Sequence, residues 1–253
     1  MDQRETREDG APPSKTTHPP RAHRPAPGAS AVSFKSVRSM LRGIKFKREA
    51  APDLEFAGAV RLTPGLRKYF CDLTLDPNTA HRKLKLSDNN KKVTLVWTEQ
   101  PYPDHQDRFD FWAQILCSTG LTGRCYWEVQ WSGDVYISVS YRGIRRKGAC
   151  DDSGFGWNDQ SWSLVCSKRG FSVWHNHKST YLPQSWSSSS GTASVFVDCP
   201  AGSLSFYTVS SDQLTHLHTF NTTFTHTLLP GFSLLSSDSS VCVCAPTHSP
   251  SSV

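Results

Sequence analysis

The sequence predicts an all-β protein, a distorted antiparallel β-sandwich that follows a disordered basic arm. Ten or more short segments alternate apolar and polar residues with a period of two, and hardly any segment has helical spacing. The chain is 37% hydrophobic and has eight tryptophans among 253 residues, which is enough for a sizeable core. No apolar run approaches the roughly 18–20 residues that a membrane-spanning helix needs.

The clearest alternation lies in Leu121–Tyr141, on both sides of the polar break Ser132-Gly133-Asp134. Its apolar positions are Cys125, Trp127, Val129 and Trp131, and then Val135, Ile137, Val139 and Tyr141. Two such runs around a short glycine-containing loop are typical of an antiparallel hairpin. Each tryptophan ring buries on the order of 150–250 Å². We therefore expect this hairpin to pack against a second sheet.

The same alternation predicts further strands along the chain. They are Lys68–Leu75, the segments around Leu84 and Leu86 and around Val93, Leu95 and Trp97, Phe111–Leu116, the segment with Trp162, Leu164 and Cys166, Phe171–Trp174, Val195–Asp198, Leu204–Tyr207, Leu228–Leu235 and Val241–Cys244. Thr98–Asp110, Arg142–Asp152 and Tyr181–Gly191 are polar or rich in glycine, proline or serine and are interpreted as loops.

Charge is distributed unevenly between the arm and the predicted domain. Residues 1–50 contain 11 Lys/Arg and 5 Asp/Glu, whereas the other 203 residues contain 17 of each. A neutral domain argues against nucleic acid as a partner. Residues 1–54 form the predicted arm, residues 55–246 the domain and residues 247–253 a loose tail. Apolar residues near helical spacing within 31–50 could contact an anionic membrane or a partner groove, and a solvated linker is the alternative.

The first ten residues are charged and lack the apolar stretch of a signal peptide, which indicates a cytoplasmic protein. In a reducing compartment we expect the eight cysteines to be free thiols. None is arranged as C-x-x-C, so no metal site is predicted. The pairs His175/His177 and His216/His218 would each share one face of a strand, and could bind a metal or simply be exposed histidines. Asn221-Thr222-Thr223 is a glycosylation sequon, which matters only if the chain is secreted.

Common catalytic motifs were not found in the chain. It has no G-x-S-x-G elbow, P-loop, H-E-x-x-H or dinucleotide fingerprint. Asp104, His105 and Asp107 could act as acids or bases, but they lie in a polar loop with no partner group in view, and we interpret them as part of a charged surface loop. We therefore predict no enzymatic activity, no catalytic residues and no cofactor.

Three ordered motifs resemble those of PRY–SPRY domains, which carry LDP, WEVEW and LDYE followed by G-x-L-S-F-Y. Here they read Leu75-Asp76-Pro77, Trp127-Glu128-Val129-Gln130-Trp131, and Val197-Asp198 followed by Gly202-Ser203-Leu204-Ser205-Phe206-Tyr207. Gln130 replaces an acid, and Cys199-Pro200 replaces the end of LDYE. The sequence of the domain is similar to the C-terminal domain of fish NOD-like receptors, and also to domains of fish tripartite-motif proteins and stonustoxin-type venom subunits.

The resemblance implies a sandwich that recognises a peptide or protein surface through variable loops, in innate-immune signalling. The alternative is a secreted or membrane-active protein related to the venom subunits. The family's binding positions correspond here to Asp104, Arg108, Phe109, Tyr141, Arg142, Trp157, Asn158, Val165, Ser167, Trp174 and Phe232. We expect burial of Leu75, Pro77, Trp127, Val129, Trp131, Leu204 and Phe206. Asp76, Asp198, Gly202 and Tyr207 are further motif positions, and Glu128 should lie on the outer face or in a local hydrogen bond.

Overall fold

The computed structural model describes residues 60–61, 64–183, 188–211 and 213–244. Within these ranges two antiparallel sheets pack as a sandwich, and a single turn of α-helix, α1 (Pro64–Arg67), precedes most of it. This architecture confirms the all-β prediction. The predicted arm 1–54, its amphipathic stretch 31–50 and the tail 247–253 lie outside the described residues. No helix in the described ranges is long and apolar enough to cross a membrane.

One sheet has eight strands and the other has six. The strands are β1 (Val60–Arg61), β2 (Leu84–Ser87), β3 (Lys92–Leu95), β4 (Gln114–Leu116), β5 (Arg124–Ser132), β6 (Val135–Tyr141), β7 (Ser161–Ser167), β8 (Gly170–His175), β9 (Lys178–Leu182), β10 (Ser190–Asp198), β11 (Ser203–Ser210), β12 (Gln213–Asn221), β13 (Leu228–Leu234) and β14 (Ser240–Cys244). The eight-stranded order is β1-β12-β11-β10-β5-β14-β3-β2, and the six-stranded order is β4-β13-β6-β7-β8-β9.

The predicted hairpin within Leu121–Tyr141 is wrong, although both of its strands exist. β5 pairs with β10 and β14 in the large sheet, whereas β6 pairs with β13 and β7 in the small sheet. The chain therefore crosses the sandwich at Gly133, whose φ of 80° is accessible to glycine. Trp127 of the large sheet and Ile137 of the small sheet therefore both point into the single core between the sheets. Period-two alternation is the same for a hairpin and for this arch, so it did not distinguish them.

Three strands were not predicted, and one predicted strand does not form. β1 and β12 lie in segments for which no strand was predicted, and β9 overlaps the start of the predicted loop Tyr181–Gly191. Lys68–Leu75 is not a regular strand, because only Phe70 and Leu75 make isolated bridges, to Tyr126 and Cys117. β12 also contains a bulge, since Phe206 pairs with His218 but Tyr207 pairs with His216. The two histidines consequently face opposite sides of the sheet, and the expectation that their rings share a face is wrong.

The expectation that all eight cysteines are free thiols is wrong. Cys71 and Cys125 form a disulfide with a Cα–Cα distance of 5.5 Å. The pairing arises because the segment at Tyr69–Cys71 runs along β5 and exchanges backbone hydrogen bonds with Tyr126. Cys117, Cys150, Cys166 and Cys199 are free thiols. Burial raises the pKa of the Cys117 and Cys166 thiols, which keeps them protonated.

Most of the family-motif residues hold the two sheets together. Leu75, Trp127, Val129, Trp131, Leu204 and Phe206 are buried as predicted, whereas Pro77 is only partly buried. Pro77 lies in the turn where Asp76 accepts a hydrogen bond from the Asn78 N–H at 2.9 Å, so its ring stays near the surface. Glu128 points away from the core and accepts a hydrogen bond from the Tyr126 hydroxyl at 2.8 Å. The expected local hydrogen bond of Glu128 is confirmed.

Candidate partner-binding surface

The side of the six-stranded sheet that faces away from the core carries a row of aligned side chains. Register places Tyr136 beside Val165, Val165 beside Ser172, and Ser172 beside Tyr181. Tyr181 is 51% exposed, and Val165, two strands away in the same row, is partly exposed. We call the outer face the surface formed by Trp157, Val165, Ser167, Ser172, Trp174 and Tyr181.

Trp157 extends the outer face beyond the strands. Its ring centroid lies 4.8 Å from that of Trp174, with an interplanar angle of 44°. Trp174 is itself buried, and its indole N–H donates to the Ser172 hydroxyl at 3.0 Å. Gly156 has a φ of 82°, and a Cβ there would lie 2.7 Å from the Cβ of Trp174. Glycine is therefore required for the chain to bring Trp157 onto the sheet.

Asn158 fixes the loop that carries Trp157. Its side-chain amide donates to the backbone oxygens of Asp151 and Gly154 at 3.0 and 2.8 Å. Its carbonyl oxygen accepts hydrogen bonds from the Gln160 N–H and the Ser161 hydroxyl. Asn158 is buried with this bonding complete, so the structure gives it a positioning role rather than an exposed position on the outer face.

The rest of the same sheet is covered by the segment that follows β6. Phe155 and Ile144 from this segment pack with Phe109, Leu116 and Leu229 into a second, smaller hydrophobic cluster. The Gln114 side chain ties the cover to β4, because it donates to Ser153 O and accepts from the Phe155 N–H, both at 2.8 Å. Part of this sheet is thus closed by the chain itself, and the outer face is the part left open.

Three of the sequence-predicted binding residues line a groove of about 460 Å³ at the edge of this cover. Asp104 is exposed and pairs with Arg82 at 2.5 Å. Arg108 is buried and donates to three backbone carbonyls, of Pro77, Ala80 and Pro103. Phe109, predicted alongside them, is fully buried in the second cluster, so its side chain belongs to the wall of the groove rather than to an exposed surface.

The remaining predicted residues are divided between core and surface. Phe232 is 0% exposed on β13, and Tyr141 is buried on β6, where its hydroxyl accepts a hydrogen bond from the Thr225 N–H at 3.1 Å. The structure therefore places both inside the sandwich, because their inward strand positions put them in the core. Arg142 is exposed at the start of the covering segment, and Ser167 is the last residue of β7, where its hydroxyl donates to Gly170 O.

Tyr181 is the exposed aromatic residue that the sequence analysis missed. It lies on β9. The end of this strand was interpreted as part of a loop because a serine-rich segment follows it. A signal was present, since Asn176-His177 joins β8 to β9 with both residues at positive φ, as in a two-residue hairpin turn. An asparagine followed by Lys178–Leu182, with a threonine and a tyrosine, could have indicated the strand.

These side chains favour binding over chemistry. The outer face combines aromatic, aliphatic and hydroxyl groups, which suit a peptide or protein surface. Among the described residues, no group of three or more His, Cys, Asp or Glu side chains converges as a metal site would require.

Comparison with known proteins gives the family context. Residues 73–121 match the SPRY-associated domain, and residues 124–247 match the SPRY domain. Stonustoxin subunit beta of Synanceia horrida is 45% identical over 66% of this chain and 24% of its own length. Tripartite motif-containing protein 16 of Mus musculus is 38% identical over 69% of this chain and 31% of its own length. The chain thus spans about a quarter to a third of these relatives.

Solved structures agree with the sequence matches. The TRIM65 PSpry domain superposes with a TM-score of 0.66 at 27% identity, covering 78% of this chain and all of that one. A stonustoxin structure superposes with a TM-score of 0.65 at 41% identity, covering 71% of this chain and 28% of that one. The matched segments contain both sheets and all three sequence motifs, and the chain therefore belongs to the PRY–SPRY domain family.

Proposed function

We propose that this protein is a cytoplasmic, non-enzymatic recognition module that binds a peptide or protein through its outer face, in innate-immune signalling. The observation that carries the proposal is Tyr181, which is 51% exposed on β9 and lies in the same cross-strand row as the partly exposed Val165, on a sheet whose other side is a closed core. SPRY domains are protein-interaction modules, and the tripartite-motif relatives support the same class of function.

The outer face has the composition of an interface centre. Aromatic residues are over-represented among the side chains that dominate binding energy, because they bury a large area with few rotatable bonds. Tyr181 also donates a hydrogen bond to Arg169 O at 2.6 Å, which holds the ring in place before a partner arrives. A preorganised ring loses little side-chain entropy on binding, so it contributes more to affinity.

The test is recovery of partners from lysate of the native cell type, with Tyr181→Ala and Trp157→Ala variants of the full chain. We expect each variant to lose most of the specifically recovered protein, since truncation of an interface anchor costs about 2 kcal/mol or more. Trp97→Ala is the matched control, because Trp97 is 68% exposed but follows β3 in the other sheet. Equal recovery of partners by the wild type and all three variants would refute the outer face as the binding surface.

A second candidate function follows from the identity with stonustoxin subunit beta and from the Cys71–Cys125 disulfide, since disulfides are typical of secreted proteins. On this alternative the chain belongs to a secreted or membrane-active protein. Lysis of fish erythrocytes by the purified chain, or a glycan on Asn221 after expression in fish cells, would favour it over the cytoplasmic proposal. Membrane contact by residues 31–50 stays a prediction, which vesicle binding with and without those residues would test.

A further inference from the structure

β9 forms one edge of the six-stranded sheet, and part of its backbone points away from the sheet. The turn Asn176-His177 joins it to β8 with both residues at positive φ, as in a two-residue hairpin. The flanking pair of such a hairpin, here His175 and Lys178, exchanges both backbone hydrogen bonds, and bonded and non-bonded pairs then alternate along the ladder. Ser179 and Tyr181 therefore belong to non-bonded pairs. Their N–H and C=O groups face outward from the edge.

The opposite edge of the same sheet is closed by the chain itself. On β4 the Leu116 O accepts a hydrogen bond from the Asp76 N–H at 2.9 Å, and the Leu116 N–H donates to the Thr79 hydroxyl at 3.0 Å. Within the described ranges, no such bond reaches the backbone of Ser179 or Tyr181. Each of these two residues thus offers one donor and one acceptor to a ligand.

Side chains leave the edge of β9 accessible. The first four of its five residues are exposed, including Thr180, whose side chain is directed to the other face of the sheet from that of Tyr181. The Tyr181 hydroxyl donates to Arg169 O at 2.6 Å, and it would lie 2.8 Å from a Cβ at Gly170. Both neighbours are at the β7–β8 turn, on the β8 side of β9. The tyrosine ring therefore leans back over the sheet and does not cover the edge.

Charge restricts what can pair with this edge. Lys178 lies at one end of β9, while Lys168 and Arg169 lie in the turn beside the other end, and none of the three forms an ion pair within the described residues. Antiparallel pairing of β9 with a second copy would bring these cations together, which is unfavourable. Residues 1–50 are also basic, with 11 Lys/Arg and 5 Asp/Glu, so the same repulsion disfavours them. The charge distribution therefore favours a different protein as the occupant.

We infer that the partner binds as an added antiparallel strand along β9, hydrogen-bonded to the backbone of Ser179 and Tyr181. The inference rests on the proposed recognition function and specifies the ligand as an extended segment without excess positive charge. Proline is excluded at the two positions that pair with Ser179 and Tyr181, because both must donate an N–H. Side chains at these positions would point to the outer face, since paired residues share a side of the sheet. The backbone would then provide affinity and the outer face specificity.

The test uses phage-displayed random dodecapeptides selected on the immobilised full chain. Ser179→Pro removes the outward N–H and breaks no bond to β8, so it is compatible with an edge strand. We expect the selected pool to bind this variant about tenfold less than the wild type, because a lost bond leaves a partner group unpaired. Ser179→Ala regains the N–H and should restore binding to within about twofold of the wild type. Equal binding to the wild type and Ser179→Pro, or no enrichment on the wild type, would overturn the inference.

Backbone amide exchange, measured by NMR on the wild type, gives a second readout that needs no substitution. In the free protein the Ser179 and Tyr181 amides should exchange about tenfold faster than those of Thr180 and Leu182, which bond to β8. A synthetic peptide of the most enriched sequence, at saturation, should slow the first two amides about tenfold. Equal protection of all four amides in the free protein, or no change with the peptide, would also contradict strand addition.

Other outcomes separate this inference from neighbouring explanations. A dimer of the wild type in sedimentation that Ser179→Pro dissociates would assign the edge to a second copy and overturn the assignment to a partner. If Tyr181→Ala and Trp157→Ala abolish partner recovery while the phage pool binds Ser179→Pro and the wild type equally, the inference fails and the proposed function stands. If recovery survives both alanine substitutions but peptide binding depends on the Ser179 N–H, the edge of β9 is a binding site and the outer face is not.

Discussion

Protonation of His81 should destabilise the protein as pH falls below neutrality. The Nδ1 atom of His81 accepts a hydrogen bond from the Lys83 N–H at 3.1 Å, so this nitrogen carries no proton in the folded state. Burial is the main cause that lowers the pKa of His81 from 6.5 to about 4, and the charge of Lys83 adds to it. A proton on Nδ1 would point at the Lys83 N–H and break the bond.

The sign follows from which state binds more protons. Between pH 4 and 6.5 the unfolded chain protonates this histidine and the folded chain does not, so the free energy of unfolding rises with pH across that window. The lowering of the His81 pKa from 6.5 to about 4 corresponds to at most about 3.4 kcal/mol of unfolding free energy. Because the ring is partly exposed, we expect a loss of about 2–3 kcal/mol on going from pH 7 to pH 4.

Urea denaturation of the wild type and of His81→Asn at several pH values between 4 and 7 measures the contribution of His81 to the pH dependence of the unfolding free energy. Asparagine can still accept the hydrogen bond from Lys83 but does not titrate, so its stability should depend less on pH. His216 and His218, whose pKa values are also lowered by burial, contribute to both proteins and cancel in the difference. Parallel stability curves for the two proteins would refute the reasoning.

Three other perturbations probe the fold. Phe232→Ala should cost about 3–5 kcal/mol of unfolding free energy because the side chain is fully buried, whereas Val165→Ala should cost under about 1.5, as denaturant titration of both will show. Reduction of Cys71–Cys125, which closes a loop across 54 positions of sequence, should lower stability by about 2–4 kcal/mol, and reductant should destabilise a Cys71→Ser variant by that much less than the wild type. Gly202→Ala should lower the melting temperature by several degrees, because φ is 68° and the new Cβ would collide with the Thr222 carbonyl oxygen; an unchanged melting temperature would contradict that contact.

Strand positions were predictable to the extent that one face of each strand is buried and the other is not. β7, with Trp162, Leu164 and Cys166 facing inward, follows the alternation closely, and the two strands predicted at Val195–Asp198 and Leu204–Tyr207 are parts of β10 and β11, which pair with each other. β12 escaped detection because a bulge breaks its period. β9 escaped because four of its five residues are exposed, which leaves almost no apolar pattern.

The division between core and binding surface was less predictable, for a physical reason. Phe109 and Trp157 are both aromatic residues in irregular segments, yet one is fully buried and the other only partly. The difference depends on the covering segment after β6, which folds back over one half of the sheet and leaves the other half open. Such a contact joins residues far apart in sequence, and local composition does not encode it.

The two departures from the family motifs lie where the fold does not depend on them. Gln130 points outward from β5 and is exposed, so an amide replaces an acid without burying a polar group. Asp198 keeps its structural bonds without the rest of the LDYE motif, because it accepts hydrogen bonds from Arg124 at 2.7 Å and from the Ala201 N–H at 3.0 Å. Arg124 accordingly lowers the pKa of the Asp198 carboxyl group. The core and its turns thus hold both sheets in register without the family's residues at these motif positions.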